Sequence, residues 1–182
     1  MSPRVRPLAA SDRDAFIAAA KASTELHRPW TNPPTTATAF EAYLTRRDNE
    51  TASCLVVVTD ADELAGVYNL SEIVRGPFQN AYLGYYAFEP YAGTGMMRAA
   101  MPSVFAHAFD ELGLHRLQAN VQPGNERSRR LLESTGWREE GFAERYLLIG
   151  GAWRDHVMYA ITAEEAARAQ GLGRGPAAEA QN

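Results

Sequence analysis

Residues 86–97, Tyr86-Ala87-Phe88-Glu89-Pro90-Tyr91-Ala92-Gly93-Thr94-Gly95-Met96-Met97, constrain the fold of this chain more than any other stretch. An aromatic, strand-forming run ends at Phe88. A stripe at helical spacing (Met97, Met101, Val104, Phe105, Ala108, Leu112) begins just past Gly95. The chain must therefore turn from a strand into a helix through two glycines. Glycine reaches φ > 0 at little cost and lets a ligand come close to backbone amides. The first amides of a helix have no partners inside it, and with the helix dipole they suit a pyrophosphate. A Walker A loop would need Lys-Ser or Lys-Thr where Met96-Met97 stands. A dinucleotide fingerprint would need a third glycine where Arg98 stands. A phosphate site of another kind and a plain turn both stay open.

The rest of the chain alternates irregularly. Residues 4–8 read as a strand, and Ser11 as the N-cap of a helix through Phe16 to Ala22, with Asp14 completing the box. Residues 26–34, with three prolines and Trp30, read as a loop, and residues 38–47 as a helix carrying Phe40, Tyr43 and Leu44. The β-branched run at 53–59 pairs with 64–70 as a hairpin, and 81–88 is a further strand. A strand at 115–121 precedes a helix from Asn125 to Gly136. Residues 145–149 and 157–161 form a last antiparallel pair joined by Gly150-Gly151. The order, βααβββαβαββ, predicts one α/β (α+β) domain with a mixed, mostly antiparallel sheet flanked by helices. The domain is expected to span residues 1–161, followed at 162–182 by a short helical extension and a disordered tail poor in large apolar residues.

Composition narrows the function classes. With 182 residues, 46% hydrophobic, the chain can build one real core. A net charge of -4 argues against a general nucleic-acid or membrane-surface binder. The single cysteine, Cys54, excludes an internal disulfide framework, and no His/Cys/Asp spacing resembles a metal site. There is no signal core and no apolar run near the ~20 residues of a membrane span, so a cytoplasmic protein is expected.

The frame Ala92-Gly93-Thr94-Gly95-Met96-Met97 resembles the acetyl-CoA loop of the GNAT acetyltransferase superfamily, Q/R-x-x-G-x-G/A. Ala92 replaces the usual Gln or Arg, and Met97 the small residue. Asn125-Glu126-Arg127-Ser128 resembles the N-x-x-S helix start beside the coenzyme in the same superfamily. The stretches Asn69 to Tyr85 and Tyr146 to Val157, with Pro29-Trp30, are similar to the RimJ-type alanine N-acetyltransferases of ribosomal proteins. The resemblance covers most of residues 5–161. It implies a GNAT fold, acetyl-CoA as co-substrate and no metal. It implies coenzyme contacts from Tyr86, Ala87, Phe88, Ala92, Gly93, Thr94, Gly95, Met96, Met97, Asn125 and Arg130. Trp30, Asn69 and Tyr85 are expected to line the acceptor pocket.

The expected reaction is direct attack of an amine on the thioester within a ternary complex. Cys54 sits in an apolar strand, and no Ser-His-Asp arrangement stands out, so an acyl-enzyme has no obvious host. By resemblance Ser128 is the proton donor to the leaving thiolate, with Tyr146 and Tyr85 in reserve. Each has a plain structural alternative, as Asn125 does as a simple N-cap and Arg130 as part of a solvated face. Glu144, Asp155 and His156 are candidate bases. The glutamate base of a related ribosomal-protein group falls at Leu147, so that role is not carried over. The acceptor expected is a protein N-terminal Ala or Ser, such as a ribosomal protein's. A small-molecule amine and a non-catalytic acetyl-CoA-binding module are the alternatives, and a homodimer is left open.

Overall fold

The computed structural model describes residues 2–47 and 49–171; the tail expected to be disordered lies mostly outside them. Seven strands form one sheet in the order β1-β2-β3-β4-β5-β7-β6. They are β1 (Arg4–Pro7), β2 (Ser53–Val58), β3 (Leu64–Val74), β4 (Asn80–Ala87), β5 (Arg116–Val121), β6 (Arg138–Ile149) and β7 (Ala152–Thr162). Only β4 and β5 run parallel; the other neighbours are antiparallel. Helices α1 (Arg13–Ala22), α2 (Thr24–His27) and α3 (Ala37–Arg47) precede β2. α4 (Met96–Phe105) and α5 (Glu126–Glu133) flank β5 in sequence, and α6 (Ala163–Ala169) follows β7.

Alternation along the strands separates two cores. On one face Phe16, Phe40, Tyr43, Cys54, Val56, Val67 and Phe88 pack under α1 and α3. On the other Leu55, Tyr68, Leu83, Met97, Met101, Leu117, Leu132 and Ile161 pack under α4, α5 and α6. Among the described residues no helix is long and apolar enough to cross a membrane.

Several expectations change in detail. Ser11 does not cap α1. Asp12 accepts from the Ala9 amide at 2.8 Å and from both terminal nitrogens of Arg6 at 2.8 Å, which draws its carboxyl below the usual range. The loop at 26–34 begins inside α2. The final pair is longer than 145–149 and 157–161, because the polar face of β6 hides its periodicity. The extension after residue 161 is not an appendage. Thr162 and Glu165 cap α6 reciprocally, and α6 buries Ala166 in the core.

One contact fixes where α4 begins. The buried Tyr68 hydroxyl donates to the Met97 carbonyl at 2.7 Å. A Cβ on Gly66 would stand 2.3 Å from Met97 Sδ and 2.8 Å from the Tyr86 carbonyl. Gly66→Ala is therefore expected to cost about 1–3 kcal/mol through overpacking, read as a lower urea midpoint at unchanged slope.

Candidate active site

The site begins where two strands part. β4 and β5 pair only from Asn80↔Arg116 to Tyr82↔Gln118, although β4 continues to Ala87 and β5 to Val121. Beyond that point β3 still holds β4 to Ala87, and β7 holds β5 to Val121. A gap opens between two braced edges. Phe88 N donates to Ala65 O at 2.8 Å, which sets the parity of β4. Alternation then turns Tyr86 and Phe88 toward β3 and Tyr85 and Ala87 toward the gap. Of the three residues expected to offer strand amides, Ala87 can offer one. Tyr86 and Phe88 cannot, and Tyr85, expected on the acceptor side and as a reserve proton donor, takes their place.

At the end of β4 the chain enters the glycine loop. Gly93 (φ 78°) and Gly95 (φ 88°) are both left-handed, and Gly95 is the N-cap of α4. The Ala99 amide is bonded to Gly95 O at 2.9 Å, so the amides of Met96, Met97 and Arg98 precede the helix's own ladder. Met96 and Met97 bury their side chains, while Gly93, Thr94, Gly95 and Arg98 are exposed. Thr94 Oγ1 is spent on Tyr91 O at 2.7 Å, so the loop presents backbone rather than hydroxyl. Ala92 is half-buried and adds no polar group. Arg98, noted in the sequence only as the residue displacing a third glycine, adds a cation in the first turn.

α5 flanks the gap on the α4 face. Asn125 Oδ1 accepts from Ser128 N at 3.2 Å, so its capping role is present. Ser128 Oγ lies 2.6 Å from Tyr85 Oη, which also donates to Ser128 O at 3.1 Å. Burial pushes the Tyr85 phenol well up, so it stays protonated. Arg130 is exposed and paired with Glu126 at 3.1 Å. Of the three arginines of this helix, Arg129 bonds Tyr159 Oη at 3.1 Å, and Arg127 and Arg130 face outward.

The opposite face carries other groups. Asn69, the register partner of Gly84, is buried and accepts from Tyr43 Oη at 2.6 Å; Tyr43 Oη lies 3.1 Å from Tyr86 Oη. Asn69 and Tyr85 thus stand on opposite faces and do not share one pocket wall. A bulge in β6 between Ala143 and Leu147 turns Tyr146 onto the ring of His156, centroids 5.8 Å apart and edge-on. Tyr146 and Ser128 therefore flank different sides of the sheet. Asp155 is occupied at that bulge, accepting from Arg145 N at 2.7 Å. Burial lowers the His156 pKa, and its Nδ1 faces Arg154 O at 3.0 Å, so Nδ1 carries the proton and Nε2 the lone pair.

Residue His27 went unnoticed in the sequence because nothing local marks its partner. Its Nε2 donates to Ala87 O at 2.8 Å, at the mouth of the gap. Three residues on, half-buried Trp30 reaches across, its ring 3.6 Å from where a Cβ on Gly124 would sit. Residues 27–30 thus bridge the ends of β4 and β5. A Ser–His–Glu line also exists, unread in the sequence: Ser53 Oγ to His107 Nε2 2.9 Å, and His107 Nδ1 to Glu111 Oε2 2.7 Å. Ser53 opens β2, and its register partner is Leu70 of β3, so β3 and β4 stand between this line and the gap. Cys54 is buried beside Tyr43, its thiol pushed up to about 11 by burial. Among the described residues no cluster of three or more His, Cys, Asp or Glu could hold a metal.

A parted pair of strands, a left-handed glycine before a helix and an N-capped serine beside the gap form a constellation that can be compared with known proteins. Residues 4–138 match the family described as acetyltransferase (GNAT) domain. The chain belongs to the GNAT acetyltransferase family. The GNAT chain is 43% identical over 103 residues to the [ribosomal protein uS5]-alanine N-acetyltransferase of Escherichia coli, covering 57% of this chain and 53% of that one. It is 42% identical over 100 residues to the probable N-acetyltransferase YjcK of Bacillus subtilis, covering 55% of each. These matches span about half the length of those curated relatives. Among solved structures, Mycobacterium smegmatis RimJ in complex with CoA-disulfide superposes with a TM-score of 0.83 at 31% identity, over 92% of this chain and 87% of that one. A spermidine N-acetyltransferase of Vibrio cholerae (TM-score 0.78, 20% identity, 91% and 98% covered) shares the fold.

Two outcomes are expected. Gly95→Val places a branched side chain at φ 88° over the open amides; titration calorimetry should show acetyl-CoA Kd rising about tenfold or more. The second concerns acid. Burial lowers the His27 pKa in the folded chain, so the folded state binds fewer protons than the unfolded one. The stability this lends holds above the ordinary value of 6.5 and is lost as pH falls below it. Between about pH 7.5 and pH 5.5 the unfolding midpoint should drop, and His27→Gln, which keeps a donor to Ala87 O, should shrink the drop.

Proposed function

We propose that this GNAT domain transfers the acetyl group of acetyl-CoA to the α-amine of a polypeptide N-terminus beginning with Ala or Ser, by direct attack in a ternary complex. The observation that carries this is the two-sided gap. On the α4 face stand the amide cradle of 95–98 and the Tyr85–Ser128 pair. On the other stand phenols, amides and an imidazole. The residues fit acetyl-CoA: an unpaired strand edge suits an amide-bearing arm, and the amides before α4 suit phosphates.

Bound there, the co-substrate supplies an acetyl thioester. The gap-facing amides of Tyr85 and Ala87 stabilise the carbonyl oxygen as it gains charge. Tyr85 Oη, 2.6 Å from Ser128 Oγ, positions the Ser128 hydroxyl; as the sulfur leaves, Ser128 gives it a proton and Tyr85 turns its own from Ser128 O to Oγ. An α-amine, with pKa ≈ 7.7–8.0, is neutral in roughly one molecule in ten at pH 7, so a mild acceptor such as His156 Nε2 suffices.

The far side also bears on the acceptor. A polyamine is a multiple cation and calls for free carboxylates along its path. Here Glu140 is bonded to both Arg116 and Arg138, and the β4 and β5 residues on that side are Tyr82, Gly84, Tyr86, Gln118 and Asn120. A monoamine followed by peptide bonds suits such neutral donors and acceptors better. The uS5-alanine name of the Escherichia coli relative supports the same class and makes a ribosomal protein the first acceptor to try.

Free thiol release from acetyl-CoA, measured with Ala- and Ser-initiated peptides, N-blocked copies and small amines, tests the reading. Activity on free N-termini is expected. Activity confined to small amines would overturn the acceptor class, and coenzyme binding with silence across the panel would leave a binding module. Ser128→Ala and Tyr85→Phe are each expected to lower kcat about tenfold or more, with coenzyme Kd nearly unchanged.

A further inference from the structure

We propose that Gly84 is a specificity-determining position. Its missing side chain keeps open the lane along which the acceptor's backbone reaches the thioester. This rests on reading the face opposite Ser128 as the acceptor side.

Glycine in a strand interior is unfavourable relative to alanine, so its presence calls for a cause. Neighbouring strand glycines have one. Gly66 has no room for a Cβ against Met97 and the Tyr86 carbonyl. Gly141 sits at the register shift after Glu139. Gly84 has neither excuse. It lies in an unbroken ladder with β3, Leu83↔Leu70 to Tyr85↔Tyr68, and its φ is outside the left-handed region. A Cβ built on it meets nothing within 4 Å, and the residue is exposed. Neither backbone conformation nor packing within the chain requires glycine here. What remains is close approach by another molecule.

The surroundings agree. Gly84 stands two residues past Tyr82, the last residue of β4 paired with β5, so it marks the opening of the gap. By alternation it shares its face with Tyr82, Tyr86 and its partner Asn69. Tyr86 Oη is held by Tyr43, and Asn69 by the same hydroxyl, so the floor around Gly84 is fixed in place. The two half-buried phenol rings form walls on either side of a strip with no side chain of its own. Such a strip admits a main chain lying flat, as an extended N-terminus would. The adjacent Tyr85, pointing the other way, carries the hydroxyl that meets Ser128.

The test is the series Gly84→Ala, Gly84→Val and Gly84→Leu in the full chain. It reads kcat and KM for an Ala-initiated peptide and a small primary amine, acetyl-CoA Kd, and the unfolding midpoint. Gly84→Val should lower kcat/KM for the peptide about tenfold or more, mainly through KM, with Gly84→Ala smaller and Gly84→Leu larger. Coenzyme Kd should stay within about twofold and the midpoint should not fall. Wild-type kcat/KM in Gly84→Val overturns the lane. So does a variant that loses its fold, because packing would then account for the glycine. If the wild-type chain acetylates only the small amine, the peptide reading fails. The same series on that amine then decides the lane separately, a graded loss supporting it and no loss overturning it.

Discussion

Backbone amides and carbonyls removed from water must find partners, and the β4–β5 gap is the place where this fold withholds them. Three paired residues join the two strands before they separate. The opening survives because each strand is anchored on its outer side, β4 by β3 and β5 by β7. His27 takes up the carbonyl of Ala87 at the mouth. Gly66 and Tyr68 hold the start of α4 against the same region by admitting Met97 and bonding its carbonyl. A cleft built this way is preorganised. Its donors are in place before any ligand arrives, and closing it would mean breaking two ladders.

The parting also divides labour between the faces of the sheet. On the function proposed above, groups that would handle phosphates and a leaving thiolate gather under α4 and α5, and groups that would receive an amine gather on the side of Tyr82, Tyr86 and Tyr146. Two substrates approaching from opposite sides would then meet in the gap without competing for space. That arrangement needs no covalent relay, and Cys54 and Ser53 are both placed elsewhere. Cys54 is buried in the α1–α3 core with its thiol held protonated. Ser53, for all its alignment with His107 and Glu111, ties the segment after α4 to the first residue of β2, two strands away from β4.

What could be read from the sequence was whatever local chemistry dictates. Gly93 and Gly95 announce left-handed turns before a helix, and Asn125 announces an N-cap; both are present. The stripe from Met97 to Leu112 marks a helix, although its last turn widens at Ala106–Glu111. The registers could not be read. Whether Tyr85 or Tyr86 faces the gap depends on one bond, Phe88 N to Ala65 O, between residues 23 positions apart. A shift of one residue would exchange the faces of every β4 side chain. The bulge that aims Tyr146 depends on Asp155 satisfying Arg145 N, and the bridge over the mouth on a histidine 60 residues before its acceptor. Local rules also misplaced the cap of α1, because Asp12 gains more from Arg6 and Ala9 than Ser11 could gain alone.

The buried polar cluster of Tyr43, Asn69 and Tyr86 shows how such a site limits its own chemistry. Burial pushes both phenols well above their ordinary range, so neither is a base at neutral pH. Their hydroxyls are consumed by one another and by the Asn69 amide, with Cys54 Sγ 3.6 Å from Tyr43 Oη. Removing one member would strand the others in a low-dielectric interior, where an unmet polar group costs about 1–3 kcal/mol. The cluster is therefore a fixed floor. It gives the acceptor side shape and neutral polarity and leaves proton transfer to groups nearer the gap. On the face of α4 and α5, Tyr85, which meets Ser128, is held protonated as well. A site floored by neutral hydroxyls, with its imidazole kept uncharged, generates no strong base. That agrees with the proposed acceptor, because an N-terminal α-amine is already partly neutral at physiological pH and a lysine side chain is not.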